Sequence, residues 1–131
     1  MNYWWINAKE RWNWTDDSNV EEMVEWCAVK KDGTTKSYCN KVRKGDLIFG
    51  YNAGEQKEIV ALARITKEKY INDNGETVIG ITKIKDLKNP ISIDQIRKNK
   101  FLKDKFSDGI KLRGTIHKLE IYEFDELLRM I

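Results

Sequence analysis

The stretch Lys44–Ile65, KGDLIFGYNAGEQKEIVALARI, decides how this chain folds. Leu47, Ile48, Phe49 and Tyr51 form a nearly continuous apolar run, the pattern of a largely buried strand. Asn52-Ala53-Gly54-Glu55 supplies turn residues, and Glu58 to Thr66 returns as a second strand. Together they make the core hairpin.

Working outward towards the C-terminus, Asn72-Asp73-Asn74-Gly75 is a further turn, and the β-branched run Glu76 to Ile84 reads as a strand. Asn89-Pro90, with the only proline, is expected to close it. Ser92 followed by Gln95 forms a capping box that opens the helix SIDQIRKNK. Ser107-Asp108-Gly109 is a loop, Thr115 to Ile121 a strand, and Glu123 to Met130 a C-terminal helix. Towards the N-terminus, Tyr3 to Asn7 is aromatic and β-branched, a good opening strand. Ser18 with Glu21 fits a capping box for a short helix over SNVEEMVEW, with Val20, Met23 and Val24 as its apolar stripe. Glu25 to Lys30 and Thr35 to Cys39 flank an Asp32-Gly33 turn as a hairpin or extended excursion. The sum is an α+β chain of 131 residues, rich in strands, with about three short helices and no internal repeat, expected to form one domain over 1–131.

Composition excludes several classes. Charged residues make up 34% of the chain, mean hydropathy is −0.65, and no apolar run approaches the roughly 20 residues that cross a bilayer. MNYWWINAKE lacks the basic stretch and apolar core of a secretory signal, so the expected compartment is the cytoplasm. Cys27 and Cys39 with the single His117 cannot supply a four-ligand zinc site and read as reduced thiols. His117 has no obvious serine or cysteine to activate. The P-loop, nucleophile-elbow and HExxH patterns are absent, and Asp16-Asp17 and Glu21-Glu22 suit a helix start better than a metal. No enzyme and no cofactor are expected.

The net charge of +3 is unevenly spread. Residues 1–29 carry two basic against six acidic side chains, whereas Lys30–Lys44 carries six basic against Asp32 alone. Arg97–Lys118 carries eight against two. Two such blocks can straddle a phosphate backbone, the source of most sequence-independent affinity for nucleic acid. They can equally be solvated lysine-rich surfaces.

All five tryptophans fall in the first 26 residues: Trp4, Trp5, Trp12, Trp14 and Trp26. A core of this size needs fewer, because each indole is large and its N–H wants a partner. On a strand, Trp4 and Trp5 point to opposite faces, so both are buried only if that strand lies between two layers. Trp12 and Trp14 sit among Arg11, Asn13, Thr15 and Asp16, where tryptophan either packs a loop or meets a ligand. A base stacked on such rings gains about 1–3 kcal/mol per partner, and a flipped base exposes its polar edge to side chains. Asn7, Asn52 and the backbone near Cys27 are candidates to meet that edge.

YWWIN, VEWCAV and KGDLIFGYNAGEQKEIVALARI, taken in order, resemble the EVE domain, a PUA-superfamily relative of the YTH domain. NPISIDQIRKN and GTIHKLEIYEFDELL extend the resemblance to EVE-type domains at the N-terminus of McrB-like subunits of modification-dependent restriction systems. It covers nearly the whole chain and implies a mixed β-barrel flanked by short helices. It also implies a reader of a modified base, in which Trp26 matches the first cage tryptophan of YTH domains and Cys27 the small polar position after it. Arg113-Gly114-Thr115 resembles a Gly-Thr step near the end of the YTH barrel. One departure stands out: YTH domains supply a second cage tryptophan from the strand matching Thr77 to Ile84, and this chain has none there. Trp12, Trp14 or Tyr51 must replace it, with Trp5 a further wall.

The sequence therefore leads to a nucleic-acid reader, modified DNA favoured over RNA, expected to be the recognition part of a larger restriction assembly. The expected base pocket is Trp26, Cys27, Trp12, Trp14, Trp5, Asn7, Tyr51 and Asn52. The expected phosphate contacts are Lys41, Arg43, Lys44, Lys111 and Arg113. Two alternatives stay open: a PUA-like RNA-binding module, and a protein-interaction or small-ligand domain whose tryptophans pack internally.

Overall fold

β1 (Tyr3–Ala8) and β3 (Leu47–Asn52) run side by side and parallel, Trp4 level with Ile48 and Trp5 with Phe49. The computed structural model describes residues 1–8, 12–30, 32–106 and 116–131. Around that pair the remaining strands are antiparallel: β4 (Glu58–Ile71) beside β3, β5 (Thr77–Ser92) beside β4, β2 (Met23–Cys27) on one edge and β6 (Ile116–Leu119) on the other. The order is β2-β5-β4-β3-β1-β6. The fold is mixed and sheet-centred as expected, but the sheet is open. Its edge strands β2 and β6 are short, and irregular segments fill the space a closed barrel would enclose.

Each face of the sheet is covered, which is why β1 and β3 read as nearly continuous apolar runs. On one face Trp4, Ile6, Ile48, Ala63, Ile79 and Ile81 pack beneath non-strand chain contributing Trp14, Ala28, Cys39 and Val42. On the other, Trp5, Phe49, Tyr51 and Ile59 pack under α1 (Ile93–Lys98), Leu102 ahead of the turn-length α2 (Lys103–Phe106), and α3 (Ile121–Met130). Trp4 and Trp5 are both buried, one in each layer. None of the described helices is long and apolar enough to cross a membrane.

The Lys44-Gly45-Asp46 step locks β1 to β3. Gly45 takes φ +94°, a conformation open mainly to glycine. The buried Asp46 carboxylate then accepts from Asn2 N (3.0 Å), Trp4 Nε1 (2.9 Å) and Arg43 N (2.8 Å). Three donors on one carboxylate satisfy a group that burial would otherwise penalise.

The helix expected over residues 18–26 is not formed. Residue Val20 bridges to Lys83, Glu21 adopts φ 66°, and Met23–Cys27 joins β5 as β2. Pairing with β5 buries Val24 and Trp26 at a spacing of two, while Val20 and Met23, two of the three residues of the supposed helical stripe, are exposed. The capping residues are used otherwise: Ser18 Oγ donates to Trp14 O at 2.5 Å and Glu21 Oε2 accepts from Arg64 Nη2 at 3.2 Å. Pro90 does not close its strand either. Ala61 pairs with Asp86 and Ile59 with Ile91, so Leu87–Pro90 bulges out of register and the proline removes no ladder bond.

Candidate functional site

Trp12, Trp14 and Trp26 come together above the loop-covered face of the sheet. Trp14 and Trp26 lie nearly parallel, 15° apart with ring centroids 6.4 Å apart. Trp12 stands edge-on to both, at 5.0 Å and 75° from Trp14 and 5.1 Å and 83° from Trp26. A flat ring inserted between two parallel rings needs about 7 Å, twice the van der Waals contact distance. The two rings stand no farther apart than that, and Trp12 packs against both of them.

The three rings are held very differently. Trp14 is fully buried, its N–H bonded to Asn52 Oδ1 (2.8 Å) and its indole Nε1–H to Ile6 O (3.2 Å). Its ring lies on Gly50, where an added Cβ would stand 2.5 Å from it. Trp26 points inward from β2 and is half-buried, and its Nε1–H is enclosed with no hydrogen-bond partner among the described residues. Lys36 Nζ stands 5.7 Å from the Trp26 ring centroid, a cation–π distance. The Lys36 N–H bonded to Ala28 O (2.7 Å) and the Val29–Thr35 bridge bring that lysine there. Trp12 is half-buried and unanchored by any side-chain hydrogen bond among the described residues.

On its other side Trp12 borders an open cleft of about 430 Å³. The cleft lies beyond the carboxyl ends of β1 and β3, between the Trp12–Asp16 and Asn52–Gln56 loops. Crevices at the carboxyl ends of parallel strands are frequent ligand sites in open sheets. Asn52 forms its inner wall, donating to Thr15 Oγ1 (3.3 Å) and Gln56 Oε1 (2.9 Å).

The other expected pocket residues lie elsewhere. Trp5, Asn7 and Tyr51 form a group of their own on the helix-covered face, with Trp5 Nε1 donating to Asn7 Oδ1 (2.6 Å) and its ring 4.9 Å from that of Tyr51. The sheet separates them from the three tryptophans, and burial pushes the Tyr51 hydroxyl pKa up. Cys27 points outward from β2, exposed, its thiol donating to Val29 O at 3.3 Å. Lys41, Arg43 and Lys44 are exposed on the segment leading into β3. The Arg43 guanidinium donates to Asn40 O (3.0 Å) and Val42 O (2.9 Å), and Lys41 lies over Tyr38 at 5.8 Å. Lys111, Arg113 and the Gly114-Thr115 step lie outside the described residues.

Sequence reasoning missed Lys36, Gly50 and Lys83. Nothing local marks Lys36. Lys83 did leave a signal, since it continues the inward series Ile79, Ile81 at the spacing of a strand.

Comparison with known families matches residues 2–130 to the EVE domain. This chain belongs to the EVE-domain family. The EVE domain's open, mixed sheet is shared with Rpa0253 from Rhodopseudomonas palustris, 23% identical with a TM-score of 0.83 over 99% of this chain and 92% of that one. Atu2648 from Agrobacterium tumefaciens is similar at 17% identity and a TM-score of 0.77, again over 99% and 92%. Human THYN1, solved in complex with DNA containing 5-methylcytosine, is 14% identical with a TM-score of 0.74 over 99% of this EVE domain and 97% of that protein. Likeness at such identities establishes the fold. No curated protein matches the chain.

Proposed function

We propose that this EVE domain is a binding module, not an enzyme, that reads a modified base, with methylated DNA the favoured target. The base, flipped out of its strand, enters between Trp14 and Trp26 as Trp12 swings towards the cleft. The observation that carries this reading is the near-parallel Trp14–Trp26 pair with the enclosed, unpartnered Trp26 Nε1–H beside it. A relative of the same fold, human THYN1, was solved with 5-methylcytosine DNA, which supports the same class of target here.

The energies are of the right size. Stacking supplies about 1–3 kcal/mol per ring, enough to offset a flipping cost of a few kcal/mol when two rings take part. Burying one methyl adds about 0.8 kcal/mol, roughly fourfold in affinity, so a larger preference also needs polar contacts. Asn52 and the Trp26 Nε1–H are the groups we assign to the base edge. Trp5, Asn7 and Tyr51 support β1 and β3 from behind, and Cys27 flanks Trp26 without entering the slot. Lys36, Lys41, Arg43 and Lys44 hold phosphates, joined by Lys111 and Arg113. The motif order shared with EVE-type domains of McrB-like subunits supports a cytoplasmic role as the recognition part of a restriction assembly whose motor and nuclease lie elsewhere.

A second reading draws on the mutual contact of the three indoles and the complete burial of Trp14: a packed cluster in an interaction domain. Trp26→Ala separates the two. A base reader loses its preference for the modified strand and keeps weak, salt-sensitive binding. Equal loss on modified and unmodified strands favours the packed cluster.

A further inference from the structure

Lys83 is 2% exposed, in an otherwise apolar layer of the core. Its ammonium donates to Trp14 O (2.9 Å), Ser18 O (2.7 Å) and Asp86 Oδ1 (2.7 Å), using all three protons. Its own carbonyl accepts from Glu21 N at 2.8 Å. Residue 83 thus grips the chain from Trp14 to Glu21 at both ends. Where a core only needs filling, an apolar side chain of this volume does so at less cost than a desolvated cation. What the cation adds is an anchor on two backbone carbonyls, one of them belonging to Trp14.

We infer that Lys83 is a positioning residue for base recognition, holding Trp14 as the fixed wall of the slot against which the unanchored Trp12 moves. The inference rests on the reading that the tryptophans take a base. The ammonium touches no ligand; it acts through the Trp14 carbonyl, while Asn52, Ile6 and Gly50 fix the N–H, the indole and the ring face of the same residue.

The test compares Lys83→Met, which keeps length and removes the donors, with Lys83→Arg, which keeps the charge. One readout needs no ligand: hydrogen exchange of the Trp14 indole N–H, with the Trp4 indole N–H, bonded to Asp46, as internal reference. Lys83→Met should speed Trp14 exchange about tenfold while Trp4 stays within about threefold, and Lys83→Arg should stay near the parent. The other readout is the affinity ratio between oligonucleotides carrying 5-methylcytosine and cytosine. It should fall about tenfold in Lys83→Met and recover in Lys83→Arg.

Trp14 and Trp4 exchange rising together, or a ratio that survives in Lys83→Met, would overturn the inference and leave Lys83 a general stabiliser. If the parent protein shows no preference for modified strands, the base-reading fails, and the exchange comparison alone decides whether Lys83 positions Trp14. Should Lys83→Met not fold, Asp86→Asn loosens the ammonium from the exposed side of its ion pair. Shifts of about threefold in the same directions are then expected, and unchanged values would overturn the inference.

Discussion

Gly50 lies so close to Trp14 that a methyl group there would stand 2.5 Å from the indole ring, and Trp14 has no room to retreat because its N–H, carbonyl and Nε1–H are all bonded. Gly50→Ala should therefore lower stability by about 1–3 kcal/mol in urea unfolding, the cost of overpacking a rigid site, and should weaken modified-base preference with it. An unaltered unfolding midpoint would mean that Trp14 is not seated on β3. The two cysteines should also part company. Burial pushes the Cys39 thiol from its ordinary 9.0 up to about 11, while Cys27 is exposed. At mildly alkaline pH an alkylating reagent should label Cys27 in the native protein and spare Cys39 until unfolding, as peptide mass spectrometry would show. The sign for stability follows from the raised value: the contribution of the neutral Cys39 thiol is complete below pH 9 and declines as pH rises towards about 11, because the unfolded chain ionises first.

Elements whose signals are local were legible in the sequence. The Ser92–Gln95 capping box is formed reciprocally, Gln95 N to Ser92 Oγ at 3.1 Å and Ser92 N to Gln95 Oε1 at 2.9 Å, and opens α1 where expected. Ser92→Ala should cost about 1 kcal/mol, seen as a lower urea midpoint at unchanged slope. The turn at Asn72–Gly75 and the strands on either side of Asn52–Gln56 are likewise where turn chemistry and apolar runs put them. Elements decided by distant partners were not. Ser18 and Glu21 give a helical start signal just upstream, yet β5 offers Met23–Cys27 a ladder and a buried groove for Val24 and Trp26, which outweighs a weak local propensity. β5 continues past Pro90 because a four-residue bulge hides the missing N–H, and a bulge leaves no mark in hydrophobic periodicity.

At the scale of the molecule, a layer on each face of the sheet sorts the tryptophans, and one strand between two layers accounts for Trp4 and Trp5 both being buried. That sorting also divides the expected site. Trp12, Trp14, Trp26 and Asn52 gather on the loop-covered side, whereas Trp5, Asn7 and Tyr51 lie behind the sheet. Alternation along β1 and β3 made two faces legible, but which face takes the helices and which the loops depends on where α1 and α3 dock, and no local pattern carries that. Lys36, over the Trp26 ring, precedes the exposed Lys41, Arg43 and Lys44 on one basic segment. The most direct measurement is equilibrium binding to matched single-stranded and duplex DNA and RNA carrying no modification, 5-methylcytosine, 5-hydroxymethylcytosine or methyladenine, at two salt concentrations. One modified strand should bind tenfold or more tighter, about 1.4 kcal/mol, and keep that preference at the higher salt because stacking is not screened. Uniformly weak binding that salt erases would contradict it, leaving a basic surface and a packed tryptophan cluster.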